Sequence, residues 1–494
     1  MKDCIVAGID LGTQSLKAVL YDCDQKHIAA QASCALDLIS EDDGTREQKT
    51  QWYDEALKKA FEKLPCELRK RVQAVGVSGQ QHGFVPLDKD GQALYNVKLW
   101  NDTSTAEECR LLTEKAGGAD AVLQEAGNLM LPGFTAPKIL WFKRHYPEQW
   151  KKLRYVMLPH DYINHVLTGN YVAEAGDASG SALFNPAKRA WSTELCSLID
   201  ENLYGLLAPL IASDKKAGTV SKKAAELLGI PEGIPVSSGG GDNMMGAIGT
   251  GTVSDGFLTM SMGTSGTLYA YSDKLIADPL RGLSGFCSST GGWLPLLCTM
   301  NCTVATEQIR SLFGLSISEF DSLASKAQPG CQGVRILPFF NGERTPNLPN
   351  GRASISGLTM TNASRENICR AAMESAVFAL KGGLDTFKKL GFEPKEIRLI
   401  GGGSKSPLWR QIAADIMNVP ITVPVSEEAA ALGAAVQALW CLEGGGAERI
   451  KELCSEHIQL DKAKAAVPGN AAGEYEKAYA DYRELLDGIK VLYE

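Results

Sequence analysis

Three consecutive glycines, Gly239, Gly240 and Gly241, deliver the chain to Asp242 and Asn243. Glycine loses more backbone entropy on folding than any other residue, so a triple run marks a positive-φ turn or a place where another group approaches bare backbone. An aspartate at the end of such a run is suited to take the proton of an attacking alcohol. In a loose phosphoryl-transfer transition state a strong base is not required. The same Asp-Asn pair is also suited to cap a helix over MMGAIG, the residues that follow.

Asp10 closes the apolar stretch CIVAGID just ahead of Gly12, Thr13, Gln14 and Ser15. A turn rich in glycine and hydroxyls between antiparallel strands exposes backbone N–H groups as an anion-binding nest. A carboxylate beside that nest would repel phosphate unless a cation intervenes. Mg²⁺ suits the place, because it takes one or two carboxylates and keeps several waters. Asp10 capping its own turn is the plainer alternative. Lys17 shares a strand face with Thr13 and Ser15, within reach of phosphate or solvent. Gly263, Thr264, Ser265 and Gly266 repeat the turn chemistry. Gly401, Gly402 and Gly403, with Ser404 leading into a helix, offer a third bare-backbone approach. Three such turns in one chain point to a nucleotide polyphosphate held between domains. Two further loops carry groups suited to a polyol: Gln80, Gln81 and His82 in GQQHG, and Trp100, Asn101 and Asp102 in LWND.

The elements that must position these residues are legible in outline. CIVAGID (4–10), LKAVLYD (16–22) and HIAAQAS (27–33) predict an antiparallel meander. That opening differs from the strand-then-helix of a GxGxxG dinucleotide fold, and no GxxxxGK[ST] loop occurs. A polar helix is expected near 47–63 and a buried strand from 72, leading into GQQHG. A second helix is expected over 104–113, capped by Ser104 or Thr105 with Glu107 and Glu108. GFLTMSMGTSGTLYAYS (256–272) restarts the strand–turn–strand pattern. Laying Gly263-Thr264 on Gly12-Thr13 pairs Met260 with Ile9 and Met262 with Leu11, a repeat at domain scale. Residues 362–380 predict an amphipathic helix, 396–406 a strand ending in glycines, and 427–440 a close-packing helix of small residues.

Length and composition bound the answer. A chain of 494 residues favours more than one domain. Net charge is −8, with no clustered Lys/Arg tract, which argues against a nucleic-acid partner. The N-terminus does not read as a signal peptide, and no apolar run reaches membrane-spanning length. The thirteen cysteines contain no CxxC pair, and Cys298 and Cys302 have no neighbouring ligands to complete a zinc site, so reduced thiols in a cytoplasmic protein are expected.

The ordered set GIDLGTQSLKAVLYD, GVSGQQHG, LWND, GGGDN, MGTSGTL, NGERTP and LIGGGSKSPLWRQIAAD resembles the FGGY carbohydrate kinases, members of the actin-like ATPase superfamily. The resemblance spans residues 5 to about 440. It implies an α/β fold of two RNase-H-like domains closing over ATP and sugar, divided here at 1–245 and 246–494, with the last ~25 residues returning to brace the first domain. NLMLPGFTAPKILW and MLPHDYINHVLTG are similar to the ketopentose-phosphorylating members. Carried over residue by residue, Asp242 matches the catalytic base and Asp10 the magnesium-associated acid. Gln81 and His82 match the loop touching the ketose, and Trp100, Asn101, Asp102 and Asn243 would line that pocket. Gly12, Thr13, Gln14, Gly263, Thr264, Gly402, Gly403 and Ser404 match the nucleotide side. The chain departs from the pattern at Gln81, where methionine often precedes the histidine, and at Asn347, where some relatives carry histidine. The implied reaction is ATP- and Mg²⁺-dependent phosphorylation of a ketopentose, D-xylulose first, with ribulose, glycerol or gluconate as alternative acceptors. An actin-like filament former or chaperone ATPase would share the phosphate turns but has no need of the loops 79–83 and 99–102. A homodimer stays among the open assembly states.

Overall fold

The computed structural model describes residues 4–278 and 282–493. β1 (Ile5–Leu11) and β2 (Ser15–Asp22) form the expected hairpin around residues 12–14, and β3 (His27–Ala35) continues the meander. α1 (Thr50–Glu62) turns Tyr53, Ala56, Leu57, Ala60 and Phe61 onto β2 and β3, the 3–4 spacing of a single buried face. β4 (Val72–Gly79) then pairs parallel with the free side of β1. After α2 (Ala106–Lys115), α3 (Pro159–Thr168) and the short α4 (Ala175–Ala178), the sheet is completed by β5 (Lys216–Thr219), β6 (Pro235–Ser237) and β7 (Gly240–Gly241). Its order is β5-β6-β4-β1-β2-β3, with β7 beside β4.

α5 (Asp242–Thr250) leads to a second sheet built to the same plan. β8 (Phe257–Met262) pairs antiparallel with β9 (Gly266–Ala270), which continues through β11 (Trp293–Thr299) to β10 (Leu283–Cys287). The long α6 (Arg365–Lys389) returns the chain to β12 (Glu396–Ile400), parallel to β8 as β4 is to β1. α7 (Pro407–Met417) and β13 (Ile421–Thr422) close the order β10-β11-β9-β8-β12-β13. The repeat seen in the sequence is therefore a repeat of topology: two RNase-H-like lobes.

The two lobes are tied through α8 (Ala429–Glu443). This helix follows the second sheet in sequence but packs on β1 and β4 of the first, and against α5. Backbone approaches backbone here. A Cβ on Gly8 would overlap the Ala431 carbonyl, one on Gly76 the Ala434 carbonyl, and one on Gly433 the Met245 carbonyl. One buried cluster joins Val6, Val19, Met244, Met245, Ala431 and Ala435 to Tyr269, Leu294 and Leu296 of the second sheet. The division expected at 245/246 falls inside α5, and α8 lies on the first sheet rather than the second, because only the small residues of α8 fit over Gly8 and Gly76.

Three other expectations are corrected. The final helix, α9 (Ala472–Ile489), braces the second lobe, not the first. Tyr475, Ala478, Tyr479 and Tyr482 share one face and enter the second lobe's core, where Arg370 donates to the Tyr475 hydroxyl at 2.7 Å and Tyr475 donates to Glu374 at 3.0 Å. α2 starts without a side-chain cap: the Ser104 hydroxyl donates to Asp102, and Glu107 and Glu108 pair with Arg144 instead. α6 runs past residue 380 to Lys389 because Leu384 and Phe387 continue its buried face. Among the described residues, no helix is long and apolar enough to cross a membrane.

Packing this close is sensitive to a single methyl group. Gly433→Ala is expected to cost ~3 kcal/mol or more. Gly473→Ala, in the first turn of α9 with nothing within 4 Å of the added carbon, is expected to stabilise by ~0.5 kcal/mol. Urea unfolding of the two variants checks both signs.

Candidate active site

The end of β4 sets the position of both carboxylates that the sequence singled out. On one side Asp10 of β1 lies in register with Ser78, whose hydroxyl donates to Asp10 Oδ1 at 2.8 Å. On the other side β7 pairs Gly240 with Ser78 and Gly241 with Gly79, so Asp242 follows immediately at the start of α5. The glycine run is required by what surrounds it. Gly239 has φ +73°, and a Cβ there would stand 2.9 Å from the His160 ring. A Cβ on Gly241 would stand 2.7 Å from Gln81 Cγ. From α8 the Gln437 amide clamps the run, accepting from Gly239 N at 2.9 Å and donating to Gly239 O at 3.1 Å. Gln437 carried no signal in the sequence, since an amide within an alanine-rich helix points to nothing until its partner is placed.

Asp242 does not cap its helix; the N-cap is Gly241. Its Oδ1 accepts from Asn243 N at 2.7 Å and Asn243 Nδ2 at 3.0 Å, and no described residue bonds its second oxygen. Burial, then the nearby Asp10 charge, push its carboxyl up to about 7. Burial also raises Asp10, against the Ser78 hydrogen bond that favours its ionised form. Behind Gly241 lies Asp177, raised by burial to about 6. Its Oδ2 lies 2.6 Å from His160 Nδ1. Burial opposes charge on His160, but Asp161 and Asp177 together hold it protonated.

Asp10, Gln81, His82, Trp100, Asp242 and Asn243 open onto one cavity of about 370 Å³, whose opposite wall carries Ser261, Ser265 and Thr267 of the second lobe. Ser261 occupies the place in β8 that Asp10 occupies in β1. The Gln81 side-chain Oε1 accepts from Asn243 Nδ2 at 2.9 Å, while its buried Nε2 has no partner among the described residues. His82, at φ +64°, lies with Nδ1 2.6 Å from the Gly180 carbonyl. That partner requires an N–H at Nδ1 and leaves Nε2 as an acceptor. Burial, with Lys138 nearby, pushes its imidazole down to about 3, so the ring is neutral. Trp100 Nε1 donates to the Thr13 hydroxyl at 2.9 Å, which in turn donates to Gln80 at 3.1 Å. The wall thus offers a donor, an acceptor and an aromatic face, which is what a polyol needs.

Not every expected residue joins it. Asp102 is fully buried away from the cavity and holds Lys98 Nζ at 3.0 Å and Arg46 N at 2.8 Å. Asn101 is likewise absent from the lining. Both were grouped with Trp100 by adjacency, but the turn at 100–102 sends successive side chains in different directions. Lys17 pairs with Glu428 at 2.6 Å, linking the first hairpin to the segment before α8. Gly12, Thr13, Gln14, Gly263, Thr264, Gly402, Gly403 and Ser404 lie outside the cavity lining. Gly263 and Thr264 accept from Thr303 N and Cys302 N at 2.9 and 3.0 Å. A Cβ on Gly403 would stand 2.8 Å from Met262 Cβ, so the second hairpin turn and the glycine run touch. Ser404 bonds Gly401 O at 2.8 Å within its own turn, and Ser406 caps α7 in its place.

The N-terminal domain of the FGGY family of carbohydrate kinases matches residues 5–249, and the C-terminal domain of that family matches residues 255–442. The chain belongs to the FGGY family of carbohydrate kinases. Among curated relatives of this FGGY protein, the xylulose kinase of Haemophilus influenzae is 45% identical over 485 residues, 96% of this chain and 98% of that one. The xylulose kinase of Streptomyces coelicolor is 35% identical over 447 residues, 90% of each chain. A solved structure described as a xyloylose kinase from Brucella ovis has a TM-score of 0.91 at 30% identity, covering 99% of this chain and 100% of that one. An FGGY kinase is a phosphotransferase acting on a sugar alcohol group. The filament and chaperone alternatives fall with that membership.

Keeping a carboxylate of raised pKa in a buried site costs stability. The penalty is complete above about 7, fades as pH falls and vanishes below the ordinary 3.8. The shift bounds it at ~4 kcal/mol. Asp242→Asn is therefore expected to raise the thermal midpoint of the ligand-free protein at pH 8, with the gain more than halved at pH 5. Calorimetry at the two pH values checks this.

Proposed function

We propose that this kinase transfers the γ-phosphoryl group of ATP to a terminal hydroxyl of D-xylulose, giving D-xylulose 5-phosphate. One observation carries the reading: Asp242 presents an unbonded carboxylate oxygen to a cavity whose other groups suit a polyol. The xylulose kinases among its relatives supply the acceptor.

Asp242 takes the proton of the attacking hydroxyl as the oxygen–phosphorus bond forms. Asn243 fixes the rotamer of that carboxylate and, through Gln81, ties it to the substrate loop. Neutral His82 accepts from a sugar hydroxyl, Gln81 Nε2 donates to one, and Trp100 covers an apolar sugar face. The turns at 12–14, 263–264 and 402–403 present backbone N–H groups to the nucleotide from beyond the cavity.

Asp10 fits a Mg²⁺ ion that arrives with the nucleotide. Among the described residues one of its oxygens is held by Ser78 and the other has no hydrogen-bond partner, and they contain no cluster of three or more ligands for a permanent metal. Mg²⁺ favours that pattern of one or two carboxylates with phosphates and water. When bound it would neutralise charge on the transferring phosphates. Closure of the lobes over both substrates would keep water from competing as acceptor. Thirteen free cysteines support a reducing, cytoplasmic setting.

Asp242→Ala is expected to leave ATP binding within about twofold and to lower sugar phosphorylation at least ~1,000-fold; retained activity would end the assignment of the base. Because the ionised form of Asp242 is the active one, kcat/KM is expected to rise about tenfold per pH unit up to an inflection near 7. An ADP-release assay across pentuloses, hexuloses, gluconate and glycerol names the acceptor, and a clear preference for any but D-xylulose overturns this choice.

A further inference from the structure

Gln81, His82 and Trp100 all belong to the first lobe. Besides the hydroxyls of Ser261, Ser265 and Thr267, the second lobe sets one charged side chain against them: Arg344, in NGERTP (341–346). It is the only permanently charged cation among the described residues that line the cavity. It also stands where the cavity opens into an outer cleft of about 640 Å³ bounded by α6 and α9.

The backbone on either side of Arg344 is anchored. The buried Glu343 carboxylate accepts from Met300 N at 2.6 Å, Arg344 N at 2.7 Å and Asn301 Nδ2 at 3.1 Å. Asn301 Nδ2 also donates to Gly342 O at 2.7 Å, and the Thr345 hydroxyl donates to Cys298 O at 2.9 Å. The adjacent carboxylate is thus occupied by N–H groups. Among the described residues, the Arg344 guanidinium makes no ion pair. Its charge reaches the His82 ring across the cavity, and on its own lobe its side chain meets the Cys298 thiol. A planar fork of five N–H donors, held on an anchored loop and lacking a carboxylate partner, is matched by two adjacent ligand oxygens.

On the reading that Asp242 receives the reacting hydroxyl of a ketose, we infer that Arg344 is a substrate-contacting residue. Its guanidinium takes the end of the acceptor remote from Asp242, the carbonyl and its neighbouring hydroxyl. The acceptor then bridges the two lobes, with Gln81, His82 and Trp100 on one and Arg344 on the other. Binding energy from the non-reacting end of the sugar is used to hold the cleft shut around the reacting end. Lysine would restore charge without the paired donors.

The experiment is a steady-state comparison of the wild type with Arg344→Ala, Arg344→Gln and Arg344→Lys, on the ketose and on its alditol, which lacks the carbonyl. Small-angle scattering is recorded with and without the sugar. Arg344→Ala is expected to raise the KM of the ketose ~30-fold or more while leaving the KM of ATP within twofold. Arg344→Lys falls between it and the wild type. The wild type is expected to prefer ketose to alditol, and Arg344→Ala to treat them alike. Compaction on adding sugar is expected in the wild type and absent in Arg344→Ala. A ketose KM within twofold of the wild type in both Arg344→Ala and Arg344→Gln, each folded by circular dichroism, overturns the inference. If the wild type phosphorylates no ketose, the functional reading falls instead. Arg344→Ala is then measured on the acceptor that replaces it, with the same twofold limit.

Discussion

The site depends on one close contact: bare backbone of α8 lying against bare backbone of the first sheet. Gly8 and Gly76 place no carbon between the strands and the carbonyls of Ala431 and Ala434, and Gly433 does the same for α5. At that separation the Gln437 amide of α8 reaches Gly239 with both its donor and its acceptor. The glycine run is thereby fixed, and with it the first turn of α5 and Asp242. An ordinary helix–sheet spacing would leave Gln437 short of its partner. The position of one carboxylate thus rests on the smallness of residues far from it in sequence.

Electrostatics then decides what that carboxylate is. Asp10 and Asp242 flank the same strand end, half-buried and alike in charge, and each is pushed towards its neutral form. A half-buried acid raised to about 7 is a poor choice for stability and a good one for accepting a proton near neutrality. Asp177 adds to the same field from behind Gly241, and His160 with its two carboxylates forms a separate charged group that never meets the cavity. The neighbouring Lys98, held between Glu47 and Asp102, is a second sealed network of this type. Burial alone does not separate these structural charges from the proposed base. An unbonded oxygen facing open space does.

The division of labour between the lobes follows from the repeat. Equivalent strands β1 and β8 bring Asp10 and Ser261 to opposite walls, so one plan yields an acidic side and a hydroxyl side. On the proposed reading, the first lobe supplies the base and most sugar contacts. The second supplies the turns at 263–264 and 402–403, and the anchored loop that carries Arg344. Lys17 and Glu428 cross between the lobes at the first hairpin, and there the lysine serves the junction rather than an anion.

Much of this was written locally. Strand alternation and glycine-flanked turns gave both hairpins, the repeat gave two related lobes, and the glycines before Asp242 announced a crowded backbone. Adjacency misled where geometry turns quickly, as at Asn101 and Asp102, where one polar run serves two different surroundings. It misled again at Ser404, whose hydroxyl closes its own turn, and at the C-terminal helix, whose tyrosine face fits the second lobe. The sequence by itself determined the chemical types and the periodicities, because these depend on neighbours a few residues away. Tertiary structure alone decided which carboxylate keeps a free oxygen, which lysine is already paired and which lobe receives α8 and α9. Those outcomes depend on burial and charge between groups hundreds of residues apart, which no local pattern records.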